Sequence, residues 1–311
     1  MALAKIQDKD GRYDVNQIEA EADRDLKEFV KFCDDAYDNS IKELAKMSAK
    51  TQNGRSVVLI SGPSASGKTT TAGKLKKELE RMSISAISVS MDNFFKSAKD
   101  TPLLPGGERD FESINTMDLN VLHRFFKDII KDGNAISPHY DFHSKSRDYY
   151  EKVTADAGAV IIAEGIHALN PVTTRELDDD RILKVYVAAS GEFHRNGELL
   201  LSKTELRLIR RLIRDFIFRG SSFTNTMSMW DNVLKGEIQN IKPYKPDADR
   251  IMYSTLAYEP YLYKQIFLNI LKKQNETPPF TALKLAEKLS LFKHYPSVTP
   301  TRSSLVHEFV G

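Results

Sequence analysis

The sequence predicts an α/β fold: a doubly wound, mainly parallel sheet with helices on both faces and helical extensions at both termini. Three observations carry this reading. Short apolar runs recur at residues 56–60, 86–89, 159–163, 183–188 and 251–253, as expected of strands buried on both faces. Longer stretches with apolar residues three and four apart separate those runs, so strands and helices alternate. The chain has 311 residues, 41% of them hydrophobic, enough for a sizeable core.

Taken in order, residues 1–14 are polar and read as loose. Over 15–48, Leu26, Phe29, Val30, Phe32 and Cys33 lie near helical spacing and predict one or two helices. The strand at 56–60, a helix at 68–82 and the strand at 86–89 make one βαβ unit. A helix at 118–131 carries Leu119, Leu122, Phe125, Phe126 and Ile129 on one face. The run at 159–163 is the most apolar strand. After the strand at 183–188 come a basic helix at 204–219, a helix at 227–235 and a last short strand at 251–253. Helices at 261–273 and 282–291 close the chain. This divides it into an N-terminal helical extension (1–54), a central domain (55–255) and a C-terminal helical extension (256–311).

Composition narrows the function classes. Forty-five Lys and Arg against 43 Asp and Glu give a net charge of +2, so no global field draws the chain to nucleic acid, which is not an expected partner. No apolar run approaches the roughly 20 residues that span a bilayer, and residues 1–14 lack the apolar stretch of a signal peptide; no membrane partner is expected. The single cysteine, Cys33, excludes an internal disulfide and reads as a small buried hydrophobe. These features point to a cytoplasmic protein. A homo-oligomer is compatible with the terminal helices.

The segment Gly62-Pro63-Ser64-Ala65-Ser66-Gly67-Lys68-Thr69 fits G-x-x-x-x-G-K-[ST] in full, with a strand before it and a helix after it. In such a loop, backbone N–H groups wrap the phosphates of a nucleotide, and glycine permits close approach. The lysine reaches the β- and γ-phosphates, the hydroxyl binds Mg²⁺, and the helix points its positive end at the anion. The nucleotide-binding set is therefore Gly62, Ser64, Ala65, Ser66, Gly67, Lys68 and Thr69, with Thr70 in the first helical turn. The fold sharpens to a P-loop NTPase-type sheet, and the cofactors to ATP and Mg²⁺. The guanine-reading pattern N-K-x-D is absent.

Two carboxylates follow strand ends, where open α/β sheets build their sites. Asp92, in Ser90-Met91-Asp92-Asn93-Phe94-Phe95, is placed to accept the proton of an attacking hydroxyl. Glu164, in Ala163-Glu164-Gly165-Ile166-His167, stands where an acid that binds Mg²⁺ or its water belongs. Between Arg195 and Arg219 stand seven basic and three acidic residues, and Arg207, Arg210, Arg211 and Arg214 share overlapping helical faces. Such a cluster can close as a lid, at about 195–222, and take up charge on a transferring phosphoryl group.

The phrases GPSASGKT, SMDNFF, PHYDFHSKSR and AEGIHALNP, together with RRLIRD and FRG, resemble in order the uridine kinase and phosphoribulokinase family of P-loop kinases, over about residues 55–255. The phrasing is most similar to bacterial uridine kinase-like nucleoside kinases, where a tail like SSLVHEFVG also recurs. The resemblance implies an ATP- and Mg²⁺-dependent phosphotransferase acting on an alcohol group of a small molecule, with the 5′-hydroxyl of uridine or cytidine first. It assigns Asp92 as base, Lys68, Arg211 and Arg214 as catalytic partners, and Arg219 as a lid arginine at the nucleotide. The acceptor side falls on Glu112, with Asp110 as its rival, and on Tyr140, Lys145 and Arg147. The family's base-reading histidine is replaced by Lys145 and a further arginine by Ser221. A cationic group of His143, Lys145 and Arg147 would also suit a sugar-phosphate acceptor, as in phosphoribulokinase. A nucleotide-binding regulator without turnover is the reading from another class.

Overall fold

The computed structural model describes residues 6–50, 54–104, 106–107, 109–141, 144, 146–273 and 277–311. Strand β1 (Arg12–Asp14) leads into α1 (Val15–Arg24) and the long α2 (Leu26–Lys50). Asp14 caps α1 by accepting from the N–H groups of Asn16 and Gln17. Then come β2 (Ser56–Ser61), α3 (Lys68–Arg81), β3 (Ala86–Ser90), α4 (Leu119–Asp132), β4 (Asn134–Asp141), β5 (Ser146–Thr154), β6 (Val160–Glu164), the short α5 (Pro171–Thr174) and β7 (Ile182–Ala188). The last third holds β8 (Glu192–Arg195), β9 (Glu198–Leu201), α6 (Lys203–Arg219), α7 (Phe223–Ser228), α8 (Trp230–Asn240), β10 (Arg250–Tyr253), α9 (Glu259–Lys273), α10 (Phe280–Ser290) and α11 (His307–Val310).

Five strands form one parallel sheet in the order β10-β7-β2-β6-β3. Strand β2, SVVLIS, lies at its centre and is buried along its whole length. Because successive side chains point to opposite faces, Val58 and Ile60 enter one hydrophobic core while Val57 and Leu59 enter the other. The first core also takes up α2, α3, α6, α9, α10 and α11; the second is closed by α4 and the Asp92–Phe95 turn. The sequence expectation of helices on both faces and at both ends is met. Both terminal segments share the first core with the central sheet, since Ile18, Phe29, Phe267 and Phe309 belong to it.

Several elements differ from the sequence reading. Residues 12–14, read as loose, form a strand that pairs parallel with β8, and β8 turns back on β9. Asn196 and Gly197 make that turn with φ of 52° and 85°, the left-handed pair that two-residue hairpins need. Strands β4 and β5 form an antiparallel hairpin beside the main sheet. The helix expected at 227–235 is two helices, the first started by Ser222, which accepts from the Asn225 N–H. No helix among the described residues is long and apolar enough to cross a membrane.

Candidate active site

The phosphate loop joins β2 to α3 at the C-terminal edge of the sheet. Gly62 has φ 153°, and a Cβ there would stand 2.3 Å from the Val187 carbonyl oxygen, so the site demands glycine. Gly67, at φ 93°, is the last residue before α3. Ala65 also holds a left-handed φ of 58°, uncommon for a residue with a Cβ. The strain is held from outside the loop. Arg207 Nε donates to the Ser64 carbonyl at 3.2 Å, Arg210 Nη1 to the Ala65 carbonyl at 3.1 Å, and Ser254 Oγ to the Ser66 carbonyl at 2.5 Å. Three successive carbonyls are thus held from outside the loop, while the Ser66 N–H donates to the Pro63 carbonyl at 3.2 Å within it.

The arginine-rich helix α6 is therefore a core helix over most of its length. A capping box starts it: Ser202 N–H donates to Glu205 Oε2, and Glu205 N–H donates to Ser202 Oγ. Its arginines divide by role. Arg207 and Arg210 are buried and brace the loop, paired with Glu237 and Glu259 respectively. Arg211, Arg214 and Arg219 converge on one buried carboxylate, Asp215, at 3.4, 2.8 and 3.5 Å. Arg211 Nη1 also donates to Ser64 Oγ at 3.0 Å. Gathering three guanidinium groups raises their mutual repulsion, and Arg219 is lowered to about 10 by burial and by Arg214. The segment 195–222 thus begins with strand residues tied to the N-terminus, and the arginines that face the reaction space stand on the last turns of α6.

Asp92 lies in a 3₁₀ turn, Met91–Phe94, that directly continues β3. Glu164 ends the neighbouring strand β6, level with Ser90 of β3 and Ile60 of β2. Burial pushes both carboxylates upward, Glu164 to about 7, and each feels the other's charge or that of Lys68. Lys68 is held below the usual ammonium range by burial, opposed by Glu164 and Asp92. Arg219 and Arg214 also act on Asp92. The arrangement brings Lys68, Asp92, Glu164, Arg214 and Arg219 into one electrostatic unit. Thr69 lies exposed beside it in the first turn of α3. The Thr69 hydroxyl and the buried Glu164 carboxylate, beside the half-buried Asp92, are oxygen donors of the kind that suits Mg²⁺, which takes few protein ligands and keeps water and phosphate for the rest.

On the acceptor side, Glu112 is pushed up to about 7 by burial, against the pull of Arg211 and Lys68. Its Cβ packs where Gly236 has no side chain; a Cβ there would approach to 2.3 Å. Asp110 accepts from the Glu112 N–H at 3.0 Å, so the rival carboxylate shapes the turn that presents Glu112. Tyr140 is buried on β4, its N–H donating to Asn93 Oδ1 and its ring edge-on to Phe95 at 5.7 Å. Ser221 is engaged with Thr226 and Asn225 at the start of α7. His143 and Lys145 lie outside the described residues.

Arg147 is tied to the turn that carries Asp92. Its Nε donates to the Phe95 carbonyl at 3.1 Å, Nη2 to the Phe94 carbonyl at 3.0 Å, and Nη1 to Asp118 at 3.1 Å. With three of its donors so placed, the guanidinium braces the Asp92 turn from behind. Cys33 is buried, its thiol pushed up to about 12, in keeping with a packing role. Asp215, Glu237, Glu259 and Ser254 were not singled out from sequence. Glu237, Glu259 and Ser254 carry no local pattern, and only the fold reveals that they organise the loop and its arginines; Asp215 stands four residues from both Arg211 and Arg219, a helical spacing that could have found it.

A phosphate loop with its lysine, a strand-end carboxylate facing it and a set of arginines on one helix define a P-loop phosphotransferase. A family model described as "Phosphoribulokinase / Uridine kinase family" matches residues 57–256, and the chain belongs to that family, whose members transfer a phosphoryl group to an alcohol acceptor. The chain is 30% identical over 198 residues to a uridine kinase of Staphylococcus haemolyticus (strain JCSC1435), across 63% of this chain and 86% of that protein. It is 27% identical over 208 residues to uridine-cytidine kinase C of Dictyostelium discoideum, across 67% of this chain and 38% of that one. A solved structure described as a possible uridine kinase from Bacillus stearothermophilus superposes with a TM-score of 0.48 at 18% identity, covering 68% of this chain and 99% of its own.

Proposed function

We propose that this protein is an ATP-dependent nucleoside kinase that phosphorylates the 5′-hydroxyl of a pyrimidine nucleoside, uridine or cytidine. The observation that carries the reading is the position of Asp92: a half-buried carboxylate at a strand end, in the field of Lys68, Arg219 and Arg214. Burial raises its proton affinity, which suits a general base that takes a proton from the attacking hydroxyl. Lys68 holds the β- and γ-phosphates, and N–H groups of the loop and of the first turn of α3 cradle them. Thr69 and Glu164 would hold Mg²⁺, which neutralises phosphate charge when bound. Arg211, Arg214 and Arg219, gathered by Asp215, take up charge that develops as the phosphoryl group moves.

The acceptor side favours a neutral diol. Glu112 and Asp110 put carboxylates there, suited to accepting hydrogen bonds from ribose hydroxyls, and Arg147 is spent on Phe94, Phe95 and Asp118. A sugar phosphate would bring a second dianion toward Glu112. The test is ATP consumption by the purified protein with Mg²⁺, against nucleosides, ribose derivatives and sugar phosphates. Turnover with uridine or cytidine is expected. Turnover confined to sugar phosphates would overturn the acceptor, and tight ATP binding without turnover on any acceptor would make the chain a nucleotide-binding regulator.

A further inference from the structure

The C-terminal residues 304–311 lie on the phosphate loop. They are anchored from behind by Asp34, whose carboxylate accepts from the Thr301 N–H at 2.9 Å, the Thr301 hydroxyl at 2.8 Å and the Ser304 hydroxyl at 2.7 Å. Leu305, Val306 and Phe309 are wholly buried. Leu305 packs so closely on Gly67 that a Cβ there would stand 2.7 Å from its Cδ1. Phe309 lies under the Arg210 guanidinium, 4.8 Å from ring centre to Cζ. From this platform Glu308 reaches forward, and its Oε2 accepts the Thr70 N–H at 3.0 Å.

Thr70 is the third residue of α3, and its N–H is one of the first-turn donors that no helical carbonyl can satisfy. In a phosphate loop those donors face the nucleotide. Here one of them is taken by a carboxylate 238 residues away in the chain. One N–H cannot serve a carboxylate and a phosphate together, and two anions at that distance repel. Lys68 and Glu164 both feel the Glu308 charge, so it lies within the electrostatic reach of the site.

We propose that residues 304–311 are an internal strap whose Glu308 carboxylate competes with nucleotide phosphate for the Thr70 N–H, so that nucleotide binding and release of the last turn are coupled. By linkage, whatever holds the strap down weakens nucleotide affinity, and nucleotide loosens the strap by the same factor. The proposal rests on the reading of Gly62–Thr70 as the nucleotide site.

The experiment titrates ADP and a non-hydrolysable ATP analogue into the full chain, into E308Q and E308A, and into K68A. Melting curves verify that each variant folds. E308A, which removes the acceptor, is expected to bind nucleotide about tenfold tighter than the parent, the weight of one hydrogen bond to a charged group, and E308Q, which keeps an uncharged acceptor, to bind tighter by less. Amide exchange over residues 305–311 of the parent is expected to accelerate at saturating nucleotide. Equal or weaker affinity in the Glu308 variants, or strap exchange unmoved by nucleotide, would overturn the competition while leaving the nucleotide site intact. Failure of every protein, parent included, to bind either nucleotide would overturn the nucleotide reading and the strap's role with it.

Discussion

Arg210 and Glu259 meet through two hydrogen bonds of 2.7 Å, Nε to Oε2 and Nη2 to Oε1, with neither side chain exposed. Glu259 opens α9 and also accepts the Leu256 N–H, while Arg210 passes its remaining donors to the Ala65 and Ser254 carbonyls. The pair therefore ties the phosphate loop to a helix that the local motif does not include.

Breaking that pair from one side leaves a buried charge without a partner. Glu259→Gln is expected to cost about 3–5 kcal/mol of unfolding free energy, read by urea denaturation. The double change R210M/E259L removes both charges and is expected to recover most of that loss. It still leaves the Ala65 carbonyl without its donor, so nucleotide affinity should stay low when stability returns. Equal recovery of both quantities would mean that Arg210 matters to the fold alone.

The division of labour between Lys68 and Asp92 is separable. Lys68→Ala is expected to abolish most turnover and to weaken nucleotide binding strongly, because it removes the positive charge at the phosphates. Asp92→Asn keeps the shape and is expected to lower turnover by about 10²–10⁴-fold, the usual weight of a general base, with nucleotide affinity little changed. Near-normal turnover in D92N would end its assignment as base.

How legible this was in the sequence varied with how local the signal is. The five strands of the main sheet were visible because each holds a short apolar run, and G-x-x-x-x-G-K-T is contiguous, so its roles were readable. The β4–β5 hairpin was not, since β5 is exposed along nearly its whole length and shows no apolar alternation. Strands β8 and β9 left one clear sign, the Asn196-Gly197 turn, inside a segment read for its charge instead. The arginines of α6 were found as a cluster, but their partners Glu259, Glu237 and Ser254 are far away in sequence, so bracing of the loop and facing the phosphate looked alike. The partners of Arg147 were hidden for the same reason: they are two backbone carbonyls and Asp118, which no motif announces.

Glu112 gives the site a pH signature. Its carboxyl rises from 4.5 to about 7, burial being the leading cause. Between those values the folded state keeps a proton that the unfolded chain has lost, so this group makes stability fall as pH rises through that window and level off above it. Glu164, also raised to about 7, acts in the same direction. E112Q cannot ionise, so it should gain stability relative to the parent as pH rises from about 5 to about 8, read as the difference between their urea midpoints. A constant difference across that range would refute the proton-holding state of Glu112.

Arg147 and Asp118 should behave as one positioning unit behind the catalytic turn. Asp118 caps α4 through the Val121 N–H and offers its other oxygen to Arg147, which in turn holds the carbonyls of Phe94 and Phe95. With Arg147→Ala those carbonyls lose their donors, which is expected to cost about 1–3 kcal/mol and to let the Asp92 turn drift. Because a small displacement of a reacting group is costly, kcat should fall by about tenfold or more while KM for the acceptor changes little. Asp118→Asn, which keeps the cap but discharges the partner, should reproduce the same pattern in weaker form. A selective rise in acceptor KM in R147A, with kcat and stability unchanged and D118N silent, would instead put the guanidinium in direct contact with the acceptor.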